Sequence, residues 1–342
     1  MGAWQPVVIG FLAALATVLI VEPAWIRVAR ERGLVGRDMN KPGRVLVAEA
    51  GGVWAVAATA FGLFFYEAVH VYILGGPYMA VEVYALASLL LLSAFLGFTD
   101  DILGWKRGLP RWVRVVFMAP VALPLVVIKA GRSTLSLPLL GTVDLGLLYP
   151  LAAVPVGVLG AANAFNMLAG YNGLEAGMGL LLMLSTAAYA YMKGVPLVGD
   201  AALIAVGALL GFLRYNWYPA RVFPGNVFTY SIGAYYAGLV ILGNMERFGL
   251  LLFSLYFVKA LLYLRGVLHG VWRGGVEDFG VPREDGSLEA PLEGLYSLQH
   301  LAIRLQKRLR GRATERGVVV TILSMQAALS AALLLLAWRG LL

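Results

Sequence analysis

The sequence predicts an all-α, polytopic membrane protein, and three observations carry that prediction. Of 342 residues, 60% are hydrophobic and only 13% charged, a balance that no soluble domain of this length shows. Apolar runs long enough to cross a bilayer recur along the whole chain. Lys and Arg gather in alternate connections between those runs, as in a chain that crosses and recrosses one membrane.

Ten such runs are expected, at 4–28, 51–73, 80–99, 112–130, 145–165, 173–193, 197–213, 227–243, 248–268 and 317–338. The first is too long for a signal-peptide core and has no basic leader, so it reads as a span. The first connection carries Arg27, Arg30, Arg32, Arg37, Lys41 and Arg44, the third Lys106, Arg107, Arg111 and Arg114, and the seventh Arg214 and Arg221. The ninth adds Arg265, Arg273, Arg283, Arg304, Lys307, Arg308, Arg310, Arg312 and Arg316. By the positive-inside rule these connections face the cytoplasm and both termini face outside. The net charge of +8 then points to an anionic lipid surface or a phosphorylated substrate rather than to nucleic acid. Cysteine is absent, which removes disulfides, zinc–thiolate sites and thiol nucleophiles.

The connections have their own patterns. Gly131 to Gly146 alternates short apolar and polar residues around Gly141, which predicts a small external β-hairpin. Gly274 to Gly294 is glycine-rich and acidic and reads as an ordered loop or hairpin. From Tyr296 to Arg312, Leu298, Leu301, Ala302, Leu305 and Leu309 recur at helical spacing, with the basic residues mostly on the other face. That pattern predicts an interfacial helix lying on anionic headgroups. His300 within it is expected at the surface. Lys259 inside the ninth span is expected to snorkel or to find a partner in the bundle, and Glu67 and His70 are expected to be structural. No repeat or separate soluble domain is visible. The chain reads as a single transmembrane domain over 1–342, with a cytoplasmic loop at 269–316 that holds the helix at 296–312.

The candidate chemistry sits where apolar runs end on the basic side. Asn163, Asn166 and Asn172 lie at the seam between the fifth and sixth runs, with Gly170 and Gly173 between them and Glu175 just beyond. On a helix Asn163 and Asn166 share one face. Carboxamide oxygens are hard ligands for Mg²⁺ and also good partners for nucleotide edges and sugars. A single asparagine could simply join two helices, but three with a glutamate in so short a stretch point to a wet, functional cavity. Asp100 and Asp101 end the third run. Such a pair can hold a metal, take a proton or merely be solvated at a helix end. Adjacent positions on a helix diverge by about 100°, so the two aspartates are expected to do different work. Basic loops beside asparagines and carboxylates suggest phosphate chemistry. A transporter is the rival from another class, but carriers place polar groups near the midplane and often show repeated halves. Here the polar groups cluster at one face.

These residues also carry a family resemblance. Gly97-Phe98-Thr99-Asp100-Asp101-Ile102-Leu103, the stretch from Asn163 to Gly177, and Gly225 to Gly233 resemble the polyprenyl-phosphate N-acetylhexosamine-1-phosphate transferase superfamily. The likeness is closest to its UDP-GlcNAc:dolichyl-phosphate branch, eukaryotic and archaeal. Asp38-Met39-Asn40-Lys41 with Glu49 resembles that family's first cytoplasmic loop, and Glu315-Arg316 its last span's start. The resemblance implies ten spans, a cytoplasmic site and Mg²⁺, with Mn²⁺ able to stand in. It implies transfer of sugar-1-phosphate from a UDP-sugar to a polyprenyl (dolichyl) phosphate with release of UMP, and a homodimer in the plasma membrane of a prokaryote, archaeal by composition. Asp100 and Asp101 match the catalytic pair, and Arg111 or Arg114 a basic catalytic residue. Asn166 is similar to a metal ligand, with Asn226 and Asp100 completing the set. Asn172 and the Met39 backbone resemble uracil contacts and Asn163 a phosphate support; Lys41, Glu49, Gly173 and Glu175 match other substrate positions. Two departures stand out. Asn226 occupies the place of the family's usual metal-binding Asp, and the basic loop before the last span is replaced here by Arg265, His269 and Arg273 as a pyrophosphate clamp. A bacterial-type transferase using undecaprenyl phosphate or another UDP-N-acetylsugar is the alternative within the enzyme class.

Overall fold

The structure, a computed structural model, describes residues 4–103, 120–137, 141–271 and 278–342. Its long helices are α1 (Gln5–Glu31), α2 (Gly52–Tyr72) and α3 (Ala80–Ile102). A short α4 (Leu123–Val127) is followed by α5 (Val154–Met167), α6 (Leu174–Met192), α7 (Pro196–Asn216) and α8 (Gly225–Leu242). The pair α9 (Glu246–Leu252) and α10 (Ser254–Leu268), a loop helix α11 (Leu298–Arg310) and α12 (Glu315–Trp338) follow.

Among the described residues seven helices are long and apolar enough to cross a membrane. An eighth is added if α9 and α10, bent by 55°, form one broken span. Of the fourth expected span, 112–130, residues 112–119 lie outside the described residues, and 120–130 hold a 3₁₀ turn (Pro120–Ala122) and the short α4. The eighth, 227–243, corresponds to α8, whose Asn226, Thr229, Tyr230, Ser231, Tyr235 and Tyr236 keep it out of that count. It needs no lipid-facing side, because every residue from Val227 to Ile241 is buried. α8 is therefore the post around which the bundle stands, with α3 and α5 packed along it.

The helices approach closely because small residues line their crossings, the usual means of association where lipid tails offer no hydrophobic drive. A Cβ on Gly62 of α2 would stand 2.7 Å from the Gly10 carbonyl oxygen of α1. Gly62→Val should therefore force the α1–α2 crossing apart at a cost of about 1–3 kcal/mol. A lower thermal midpoint in detergent is the expected measurement.

Among the described residues three two-stranded antiparallel hairpins decorate the bundle. The one expected near Gly141 is present as β3 (Thr134–Leu137) against β4 (Gly141–Asp144), with Thr134 opposite Asp144. In the acidic loop Val281–Pro282 pairs with Leu288–Glu289. The hairpin β1 (Val35–Arg37) and β2 (Leu46–Ala48) in the first connection was not expected, since its basic, Gly- and Pro-containing sequence carries no clean alternation. It matters for the site: Ala48 bridges Val222 in parallel, and the Gly51 and Gly52 N–H groups donate to the Phe223 and Pro224 carbonyls. The first connection is thereby strapped to the turn that opens α8.

Two loop residues correct the sequence reading. His300 is fully buried, not at the surface. The buried face of α11 is Leu298, Gln299, His300, Ala302, Ile303 and Gln306, because the helix docks onto its own chain: Gln299 Nε2 donates to the Leu168 carbonyl (3.0 Å) and Gln306 Nε2 to Thr321 Oγ1 (3.0 Å). Leu309, counted on the apolar stripe, is exposed. Lys259 is buried and ion-paired with Asp278 at 2.5 Å, which tethers the loop before the Val281 hairpin to α10.

Candidate active site

The last turn of α3 and the first turn of α8 make the centre of the site. Gly225 opens α8 at a φ of +73°, and a Cβ there would lie 2.5 Å from Asp101 Oδ2 and 3.1 Å from the Ala50 Cα. Glycine is required on both counts. Through this gap Asp101 reaches the start of α8 and accepts from two backbone N–H groups, Asn226 at 2.8 Å and Val227 at 3.0 Å. Those are orphan donors at the positive end of a helix, the groups a carboxylate satisfies best. Asp101 thus acts as a cap supplied from a neighbouring helix, with both oxygens engaged.

Asp100 points elsewhere, as the divergence of adjacent helical positions requires. Its Oδ2 accepts from Asn226 Nδ2 at 3.0 Å and from the Tyr230 hydroxyl at 3.4 Å. Asn226 and Thr229 lie three apart on α8 and so face the same side. Thr229 Oγ1 donates to Asn166 Oδ1 at 2.9 Å, on the last turn of α5. One chain of contacts therefore runs Asp100, Asn226, Thr229, Asn166. Asp100, Asn166 and Asn226, far apart in sequence and expected together, are thereby brought within one chain of contacts. Asn163, one turn before Asn166, donates through Nδ2 to the Leu159 carbonyl of its own helix at 2.8 Å.

The second polar group forms around the turn between α5 and α6. Glu175 Oε1 accepts from the Gly170 N–H at 2.7 Å, so this carboxylate braces its own turn. Gly173, at a φ of +84°, starts α6. Asn172 donates from its backbone to Glu315 Oε1 (3.0 Å) and from Nδ2 to Asp38 Oδ2 (3.0 Å). Lys41 Nζ pairs with Asp38 at 3.1 Å and with Glu315, and stands 4.2 Å over the Tyr218 ring. Asn40 Nδ2 donates to the Gly170 carbonyl at 2.8 Å, and the Gly280 N–H donates to the Tyr171 hydroxyl at 2.9 Å. Met39 thus sits in a loop clamped over the 170–172 segment. Glu49, one residue before the Ala50 that touches the Gly225 turn, lies against Gly36, and burial raises its carboxyl above the usual range.

Arg265 and His269, expected as a pyrophosphate clamp, gather around Tyr296: the guanidinium lies 5.6 Å from its ring centre and His269 Nδ1 3.2 Å from its hydroxyl. Arg111, Arg114 and Arg273 lie outside the described residues. Thr229, Tyr230, Asp38 and Glu315 were not singled out as site residues. Asp38 and Glu315 lie in stretches that carry the family resemblance, and Thr229 left a signal in its i,i+3 spacing from Asn226.

A divalent cation fits this donor set in one way. Among the described residues no group of three or more His, Cys, Asp or Glu side chains is arranged to hold a metal. What converges is one carboxylate, Asp100, with the carboxamides of Asn226 and Asn166. Hard oxygens in that small number suit Mg²⁺, which keeps several waters and leans on substrate phosphates instead of an all-protein cage.

Comparison with known proteins places the chain. Residues 83–244 match the profile of glycosyl transferase family 4. A protein of the archaeon Saccharolobus solfataricus is 34% identical over 94% of this chain and 92% of its own length. One from Sulfolobus acidocaldarius is 31% identical over 90% of this chain and 89% of its own. Both are named for UDP-N-acetylglucosamine–dolichyl-phosphate N-acetylglucosaminephosphotransferase activity. A Bacillus subtilis protein named for undecaprenyl-phosphate N-acetylglucosaminyl 1-phosphate transfer is 28% identical over 69% of this chain and 63% of its own.

Proposed function

The chain belongs to glycosyl transferase family 4, and from that premise we infer that it transfers N-acetylglucosamine-1-phosphate from UDP-N-acetylglucosamine to a polyprenyl phosphate, dolichyl phosphate by its relatives' names. UMP is released and N-acetylglucosaminyl diphosphoryl polyprenol is formed, a first membrane step of glycan assembly. The observation that carries this reading is the convergence of Asp100, Asn226 and Asn166 at the mouths of α3, α8 and α5.

The reaction sets two anions against each other. A lipid phosphate oxygen attacks the β-phosphorus of the donor, and the bond to the UMP oxygen breaks. The nucleophile's second pKa is about 6, so it is largely ionised near neutral pH and a strong base is not essential. A single in-line displacement suffices. The Asp100, Asn226 and Asn166 oxygens would hold Mg²⁺, which would supply charge neutralisation at the diphosphate. Asp100 keeps Asn226 turned into the cleft, Thr229 orients Asn166, and Asp101 fixes the first turn of α8 on which Asn226 stands. Arg111 or Arg114 and the Arg265–His269–Arg273 group are assigned to the phosphates.

We propose a ten-span protein of an archaeal plasma membrane, with both termini outside and the site cytoplasmic, working as a homodimer. The exposed Leu309, Arg308, Arg310 and Arg312 at the end of α11 rest on anionic headgroups. The lipid acceptor enters sideways between helices and the donor from the cytoplasm. The Bacillus relative favours a second reading, an undecaprenyl phosphate acceptor. UMP release measured with UDP-N-acetylglucosamine and either lipid phosphate, with and without Mg²⁺, separates the two. A purified chain that binds the donor yet releases no UMP with either lipid contradicts both.

A further inference from the structure

α9 and α10 meet at Phe253 with a bend of 55°, yet no proline lies between Glu246 and Leu268. Without proline, so sharp a kink points to a foreign group in the helical ladder. In an unbroken helix the Leu252 carbonyl would accept the Tyr256 N–H. Here that N–H turns to the Phe253 carbonyl at 3.0 Å, and the Phe257 N–H, the regular partner of Phe253, stands off at 3.4 Å. The carbonyl set loose at Leu252 accepts instead from Gln326 Nε2, 3.1 Å away on α12.

Gln326 is fully buried near the middle of an apolar helix, where a carboxamide is costly without a task. Inside a bilayer no water satisfies a bare carbonyl. Leu252 therefore has two partners to choose between: Gln326 when α9 and α10 are bent, and the Tyr256 N–H when they are straight. The bend is imposed from α12. A second side chain grips the end of α9 without making that choice. The Tyr236 hydroxyl of α8 donates to the Gly249 carbonyl at 2.8 Å, but that carbonyl also keeps its regular Phe253 N–H at 3.0 Å.

The bend also sets a row of rings that ends at the site. Tyr236, Phe253, Tyr256 and Phe165 follow one another, with centres 5.3, 4.0 and 5.5 Å apart and near-parallel planes. Phe165 lies on the last turn of α5, and the next residue is Asn166. Straightening α9 and α10 would carry Tyr256 away from Phe165 and leave that turn without its support.

We propose that Gln326 is a positioning residue for the transfer reaction: by holding the Leu252 carbonyl it keeps α10 bent, Tyr256 against Phe165, and Asn166 in its contact with Thr229. This rests on the reading that Asn166 serves the reaction centre.

The chain has no cysteine, so a pair of spin labels at Ile20→Cys on α1 and Leu261→Cys on α10, both exposed positions, reads the bend directly in the full-length protein. Leu261 lies about 12 Å along the helix from Phe253, so straightening through 55° moves it by about 11 Å. Gln326→Leu should shift the distance between labels by several ångströms. Gln326→Met, closer in shape, keeps the test valid if Gln326→Leu does not fold. Both should lower kcat for UMP release by about 10- to 100-fold and raise the Mg²⁺ concentration for half-maximal rate, with the donor's KM little changed. Tyr236→Phe should leave the distance and the Mg²⁺ titration as in the wild type. A folded Gln326 variant that keeps the wild-type distance overturns the proposal, as does one that straightens yet turns over normally. A wild type that releases no UMP contradicts the transferase reading, while the label distances still decide whether Gln326 sets the bend.

Discussion

Asp100→Asn should lower UMP release by about 100- to 1,000-fold, the loss seen when one preorganised electrostatic group is removed from a reaction centre, with little change in thermal midpoint. The variant keeps the size of the side chain and can still meet the Asn226 amide and the Tyr230 hydroxyl. What disappears is the one negative charge of the converging set. Asp101→Ala makes the contrast. Asp101 caps α8 through the Asn226 and Val227 N–H groups, and a lost cap costs about 0.5–2 kcal/mol. That variant should lose both stability and activity, since the first turn of α8 carries Asn226. Thermal melts run beside UMP-release assays distinguish the two aspartates. Equal destabilisation by both changes would contradict the division of labour.

The second large effect is expected at Asn226. Asn226→Asp should lower the Mg²⁺ concentration for half-maximal activity by about tenfold, equivalent to about 1.4 kcal/mol. The reason is the 3.0 Å contact with Asp100. An asparagine satisfies that carboxylate without a cation, by donating to it. An aspartate there sets two like charges against each other until a cation comes between them. The metal-free variant should therefore melt below the wild type, and added Mg²⁺ should raise its midpoint more than it raises that of the wild type. An unchanged Mg²⁺ titration would take position 226 out of the coordination sphere.

Much of the bundle could be read directly from the chain, because long apolar runs are a strong and local signal. α1, α2, α3, α6, α7 and α12 fall within a few residues of their expected limits. The hairpin of Leu46–Ala48 could not be read. Its pairing with Val35–Arg37 and its bridge to Val222 are tertiary facts, and its basic composition masks any alternation. The burial of His300 was equally hidden: α11 is amphipathic, but the face that turns inward is chosen by the Leu168 carbonyl and by Thr321.

The site divides along the same line. Asp100, Asp101 and Asn166 stood out because polar residues at the ends of apolar runs are expensive without a task, and Asn226 through the family resemblance. Their mutual contacts did not, since Asn226 lies 126 positions from Asp100. Lys41 was expected on substrate. The structure gives its charge to Asp38 and Glu315, the latter 274 positions away, which no local pattern could announce. Glu175, likewise, braces Gly170. Glu22 left no trace in the reading either. It is fully buried in α1, and a Cβ on Gly51 would stand 2.3 Å from its Oε1.

The account stands on Asp100 as the charged member of a divalent-cation site completed by the donor's phosphates. Electron paramagnetic resonance of Mn²⁺ with the purified full-length chain and UDP-N-acetylglucosamine tests this most directly. The wild type should bind Mn²⁺ in a donor-dependent way, Mg²⁺ should compete, and Asp100→Asn should weaken binding by about tenfold or more, as the loss of a ligand charge requires. Mn²⁺ bound as tightly by Asp100→Asn as by the wild type would contradict it.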